Sequence, residues 1–255
     1  MKIFTFLSYL ITFAFIFFYS SLIYAQQDTI INIGGRLFIT EWVGKQDSIT
    51  DYESDYGAQI SLNLGIQKGR AYAGFSLNAG QYDISYNEYY NDTDISLYSN
   101  INKIRRTETD LIVGYYFWDN LSLFLDYKSI DNYADGKIVV NDFITNNTES
   151  INITSLLPFR GLGLGIASNW SLSTKWSLFG SFGFIPYGNK LFKTTGISQS
   201  NSLAFEFGAV YDFTNTSSIS VGLRIHKQKY WFDDEEPSLS NQLTGFFIGY
   251  NYQIY

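Results

Sequence analysis

Apolar and polar residues alternate with period two along most of the chain beyond residue 30. The plainest stretch runs from Thr107 to Phe117. Leu111, Val113, Tyr115 and Phe117 fall on one face, and Glu108, Asp110, Gly114 and Tyr116 on the other. A helix would scatter those carboxylates, whereas a strand gathers them on one side. The pattern returns where Ala58, Ile60, Leu62, Leu64 and Ile66 alternate with Gln59, Ser61, Asn63, Gly65 and Gln67. It returns again where Leu203, Phe205, Phe207, Ala209 and Tyr211 alternate with Ala204, Glu206, Gly208, Val210 and Asp212, and through Val221, Leu223 and Ile225. The alternation predicts ten strands, at about 31–43, 56–67, 70–83, 105–118, 121–130, 155–168, 175–187, 202–213, 218–230 and 242–254. The first strand has no clear parity, because Arg36 and Glu41 fall on opposite faces. Arg160 lands on the apolar face of its strand, which places it at a rim or beside a bulge.

The connections alternate in length. Those near Lys68-Gly69, Asp119-Asn120, Asn169–Thr174 and Thr214–Ser217 are short, and those at about 44–55, 84–104, 131–154, 188–201 and 231–241 are long and polar. Strict alternation puts all short turns at one end and both chain termini with them, which requires an even number of strands. Ten satisfies this, with eight as the alternative.

Composition says what medium the strands meet. Aromatic residues make up 19% of the chain, with 21 Tyr and 22 Phe, and only 16% of residues are charged. Tyr at that level suits a surface that is apolar on one side and wet on the other, and the charge is well below the ~25% of an ordinary soluble domain. The start, Met1-Lys2 followed by the uncharged run Ile3 to Ile23 and then Tyr24-Ala25-Gln26, has the layout of a secretory leader. Residues 1–25 are therefore expected to be a signal peptide cleaved after Ala25, with an uncleaved anchor as the alternative, and 26–255 the mature domain. No second apolar run of helix length follows. Lipid leaves no backbone polar group unpaired, so a chain that spans with strands must close them into a barrel.

The residues around three short turns share a plan: Gly114-Tyr-Tyr-Phe-Trp-Asp-Asn-Leu-Ser-Leu-Phe, Gly165-Ile-Ala-Ser-Asn-Trp with Trp176-Ser-Leu-Phe, and Gly208-Ala-Val-Tyr-Asp-Phe-Thr-Asn with Ile219-Ser-Val. Trp118, Trp170, Trp176 and Phe213 would form an aromatic girdle at one membrane interface. This hairpin plan resembles bacterial outer-membrane β-barrel proteins, the small OmpA-type and Opa-type barrels among them, over essentially all of residues 30–255. The resemblance implies an all-β, antiparallel up-and-down transmembrane barrel in the cell outer membrane, with the short turns periplasmic and the long loops outside. It also implies two partners, membrane lipid and the barrel-assembly machinery. Such barrels end in an aromatic residue with apolar residues at every second position before it. Here Tyr255 is aromatic, but the apolar parity runs through Ile254, Tyr252, Tyr250, Ile248 and Phe246, so the signal is shifted by one residue.

The inward charges Glu108, Asp110, Asp126, Lys128, Glu206, Asp212 and Arg224, with His226, are the candidates for chemistry. Hairpin register offers a plainer account. A hairpin centred on Asn215 sets Glu206 opposite Arg224, and one near Asp119 sets Asp110 opposite or diagonal to Lys128. Opposite charges across a ladder are ordinary cross-strand pairs, so these residues are expected to form a structural network in the lumen rather than line a pore or catalyse. His226 is the sole histidine. Omptin-type proteases place an Asp two residues before their His, where this chain has Arg224, and outer-membrane lipid A deacylases place a Ser two residues after it, where this chain has Gln228. Neither motif is present. No catalytic, cofactor-binding or metal-binding residue is assigned and no cofactor is expected. The chain has no Cys, which excludes thiol chemistry and disulfides.

Asp233-Asp234-Glu235-Glu236 reads as a solvated loop tip, and Tyr86, Tyr89, Tyr90 and Tyr98 among small polar residues as a recognition-type composition. A surface ligand is therefore expected at 84–104 and 131–154. The net charge of −7, about −8 without the leader, excludes nucleic acid. The expected function is non-enzymatic, in envelope integrity or surface recognition and adhesion. A small porin-like channel and a rim-located hydrolase are the alternatives.

Overall fold

The structure, a computed structural model, describes residues 29–46, 50–53, 56–91, 95–142, 147–189, 197–232 and 238–255. The expected leader, residues 1–25, lies outside the described residues. The strands are β1 (Thr29–Gln46), β2 (Thr50–Glu53), β3 (Gly57–Lys68), β4 (Ala71–Asn91), β5 (Ile95–Trp118), β6 (Leu121–Asp142), β7 (Asn147–Ser171), β8 (Trp176–Gly188), β9 (Ile197–Asp212), β10 (Ser217–Phe232) and β11 (Leu239–Ile254). All but β2 join a ring in which each strand pairs with its sequence neighbour and β11 returns to β1, from Ile31 opposite Ile254 to Gln46 opposite Leu239. This is a ten-stranded antiparallel barrel, and the eight-stranded alternative is set aside. The four-residue β2 folds back on the outer end of β1.

Alternation decides which face each residue takes. Ile60, Leu62, Leu64 and Ile66 point outward and are 47–65% exposed, while Gln59 and Ser61 between them are 2% exposed. The parity of β1 is resolved in the same way: Ile33, Leu37 and Ile39 face out, Phe38, Thr40 and Trp42 face in, and Arg36 therefore points into the lumen. The outward apolar residues form a continuous belt. Trp118, Trp170, Trp176 and Phe213 are exposed beside the short turns, where an interfacial girdle belongs. Gly69, at φ 59°, takes the left-handed position that the tight β3–β4 turn needs.

The structure corrects two of the long connections. The expected loops 84–104 and 131–154 are mostly strand, because β4 and β5 continue to Asn91 and from Ile95, and β6 and β7 to Asp142 and from Asn147. Strands of 21 to 25 residues are twice what a bilayer needs. Four neighbouring strands thus rise past the belt as one sheet. The sequence alternation fades there because lipid no longer makes one face uniformly apolar. Around the bulge between Ile101 and Lys103 the inner face still carries Ile101, Ile138, Ile151 and Ile153, and the outer face carries Arg105, Asp135, Lys137 and Thr154.

Arg160 does lie beside an irregularity. The β7–β8 ladder runs only from Leu164–Phe184 to Ser171–Ser177, and β8 shifts register against β9 between Ile185 and Gly188. Pro158 and Pro186 cannot donate to a ladder. Asn189, left-handed at φ 56°, fills the gap: its Oδ1 accepts from the Arg160 amide at 2.7 Å and its Nδ2 donates to the Pro158 carbonyl at 2.8 Å. The Arg160 guanidinium is held by both oxygens of Asp131, at 2.7 and 2.9 Å.

Candidate functional site

The inward charges meet in one layer of the lumen, centred on Glu108. Its side chain is 1% exposed. Oε2 accepts from Arg106 Nη2 at 2.8 Å and Nε at 3.2 Å, and Oε1 accepts from Arg224 Nη2 at 2.6 Å and Lys128 Nζ at 3.1 Å. Lys128 also donates to Asp110 and stands 3.9 Å from Asp126. Three carboxylates thus surround an ammonium, which occupies the place a bound cation would take. A short distance off, Arg36 reaches across β11 and β10 to pair with Glu206 on β9. Its guanidinium lies 4.9 Å from the centre of the Phe247 ring. Gly249 makes room, since a Cβ there would meet the Arg36 side chain at 2.8 Å.

Counted together, Arg36, Arg106, Lys128 and Arg224 face Glu108, Asp110, Asp126 and Glu206. The layer is neutral, as a charged layer removed from water must be. Arg106 is a member that sequence reasoning missed, although it shares the parity of Glu108. Arg36 was obscured by the unclear parity of β1. Two predicted features are not part of it: Asp212 is exposed at the turn-side rim, and the acidic stretch 233–236 lies outside the described residues.

His226 is 1% exposed and both its ring nitrogens are engaged. Nδ1 lies 3.0 Å from Arg106 Nη2 and Nε2 lies 2.8 Å from Ser202 Oγ. A guanidinium only donates, so Nδ1 is the acceptor and the proton sits on Nε2, facing Ser202. The lone pair a general base would use is occupied by Arg106.

On the outer side of this layer the lumen is filled by apolar packing. Trp42, Tyr82, Ile84, Ile104 and Leu243 form one cluster, and Ile130, Phe159, Ile185, Ile197 and Tyr230 another, every one at or below 9% exposure. Asn132 and Gln228 both accept from Arg106 and tie the two levels together. On the turn side a cavity of about 340 Å³ remains, with the charge layer as its ceiling.

No family model matches the chain, and no curated protein matches it. Among solved structures it is similar to the outer membrane protease OmpT from Escherichia coli, with a TM-score of 0.61 at 10% identity over 90% of this chain and 99% of that one. Weaker likenesses are to the toluene transporter TodX of Pseudomonas putida (TM-score 0.36, 9% identity, 91% of each chain) and to Ail, the attachment invasion locus protein of Yersinia pestis (TM-score 0.32, 12% identity, 90% of this chain and 99% of that one). Identity this low speaks for the fold, which is that of a bacterial outer-membrane barrel, and for nothing finer.

Proposed function

We propose that this outer-membrane β-barrel protein is a closed, non-enzymatic barrel that acts at the cell surface, through the sheet that β4 to β7 raise above the membrane. The observation that carries the reading is the outer edge of β7. Among the described residues, this strand pairs from Asn147 to Leu157 with β6 alone, and its ladder with β8 begins only at Leu164. Edge strands are usually blunted by charge, proline or a bulge. This one has a single charge, Glu149, no proline before Pro158, and Ile151 on its inner face and Leu156 on its outer face at 56% and 49% exposure. An extended segment of a surface ligand can add to such an edge by backbone pairing.

Supporting the absence of a channel is the filled outer lumen, and supporting the absence of hydrolysis is the engaged lone pair of His226. Trimming both hairpins, residues 86–101 and 136–153, tests the reading. Cells carrying the trimmed protein should lose attachment to surfaces and host matrix that cells with the full protein show, while the barrel still migrates differently boiled and unboiled. Attachment unchanged by the trimming would refute it.

A further inference from the structure

The free edge of β7 is complementary to itself. Ser150-Ile151-Asn152-Ile153-Thr154 reads almost the same in both directions, with Asn152 at its centre. The neighbour within the barrel does not impose this symmetry, because β6 sets Val139, Ile138, Lys137, Gly136 and Asp135 opposite those residues in turn. A second copy of the edge, turned by a two-fold axis at Asn152, matches the first residue for residue. Ile151 then lies opposite Ile153 of the second copy on the inner face. On the outer face Ser150 lies opposite Thr154 of the second copy, and Asn152 meets its own counterpart. Apolar and hydroxyl pairs of this kind stabilise a ladder. Glu149, the one charge between Asn147 and Leu157, falls opposite Ser155 of the second copy, so no like charges meet. Ile151 is 56% exposed, and Ser150, Asn152, Thr154 and Ser155 are exposed as well, so an added strand has side chains to cover.

Direction decides where the second copy sits. A ladder between the same edge of two copies is isologous, and its strands run antiparallel. Every copy in one membrane runs β7 from its outer end towards the periplasm, so neighbours in that membrane present the edge in parallel. A copy in a facing outer membrane runs β7 the other way.

We therefore infer that β7 pairs with β7 of a second copy of this chain on an apposed cell, joining two raised sheets into one; this rests on the reading that the raised sheet is the acting surface. The overlap from Asn147 to Leu157 is about 35 Å long at the usual rise of a strand. Many such pairs between two membranes act together.

The chain has no cysteine, so a single introduced one reports the pairing. Full-length protein with Asn152→Cys is placed in two populations of phosphatidylcholine vesicles, one of them carrying a size-tagged chain. The populations should cluster with each other and not with empty vesicles, and mild oxidation should give a tagged–untagged dimer. Directly opposite Cβ atoms lie about 5 Å apart, close to disulfide spacing. Thr148→Cys, on the same edge but about 27 Å from its counterpart, should give at least tenfold less dimer. Asn152→Lys and Asn152→Glu should each reduce clustering several-fold, because like charges then oppose, and mixing the two should restore it. Full-length vesicles that stay separate would overturn the inference, as would equal cross-linking from the two cysteine positions. If the vesicles stay separate while trimming the hairpins still abolishes attachment to host matrix, the partner is foreign: the homotypic inference falls and the surface reading stands.

Discussion

Glu206 and Arg224 stand directly opposite each other on β9 and β10, yet they do not pair. Arg224 crosses the lumen to Glu108 on β5 at 2.6 Å, and Glu206 takes Arg36 from β1. Both charges thereby hold distant strands together instead of neighbours. Strand ladders already tie β9 to β10; the ion pairs brace the barrel across its interior, where no backbone bond can reach.

Glu108 is the member whose loss costs most. It is the common acceptor for Arg106 and Lys128, both buried with it, and for the mostly buried Arg224. Glu108→Gln should destabilise the folded barrel by about 3–5 kcal/mol, the cost of leaving buried partners unpaired, measured by denaturant titration in lipid vesicles. Glu206→Gln frees a single, partly exposed Arg36 and should cost clearly less. Equal effects would mean that the charge layer is wet.

The hydrogen bonds of His226 specify its proton. Nitrogen-15 spectra of the ring should show a proton on Nε2 and a bare Nδ1, because Nδ1 accepts from Arg106. A bare Nε2 would instead leave Ser202 as donor and require Arg106 to be turned away.

The base of the raised sheet responds to acid. Hydrogen bonds from Arg105, first, and Thr154 hold the Asp135 carboxyl below its usual range. A depressed carboxylate stabilises the fold above its unfolded pKa, and that contribution is lost as pH falls through the folded one. Hydrogen exchange at residues 133–137 and 152–156 should therefore quicken as pH drops below about 4, once corrected for intrinsic rates, and Asp135→Asn should remove the pH dependence. Asp135 is only half-buried on the outer face, so the effect is local and does not unfold the barrel.

The spanning part of the fold was legible because lipid imposes a strict rule. Leu111, Val113 and Tyr115 must face out, and Glu108 and Asp110 must then face in. Register followed from turn position, so the oppositions of Asp110 with Lys128 and of Glu206 with Arg224 were both readable. The partnerships were only half readable. Lys128 does donate to Asp110, but the pairing of Arg224 with Glu108 depends on barrel closure, which no hairpin encodes. Residues 84–104 and 131–154 read as loops because strands outside lipid carry polar residues on the face that lipid would make apolar, as at Asn152 and Lys137. The cavity was not legible, since an inward glycine such as Gly74 reads the same whether it opens space or receives a ring.

The central claim, a lumen closed on its outer side, is tested most directly by single-channel recording of the full-length protein in planar bilayers. The packing of Trp42, Tyr82, Phe159 and Tyr230 over the Glu108 layer predicts no steady conductance at moderate voltage. A stable, reproducible open level carried by the unmodified protein would contradict it.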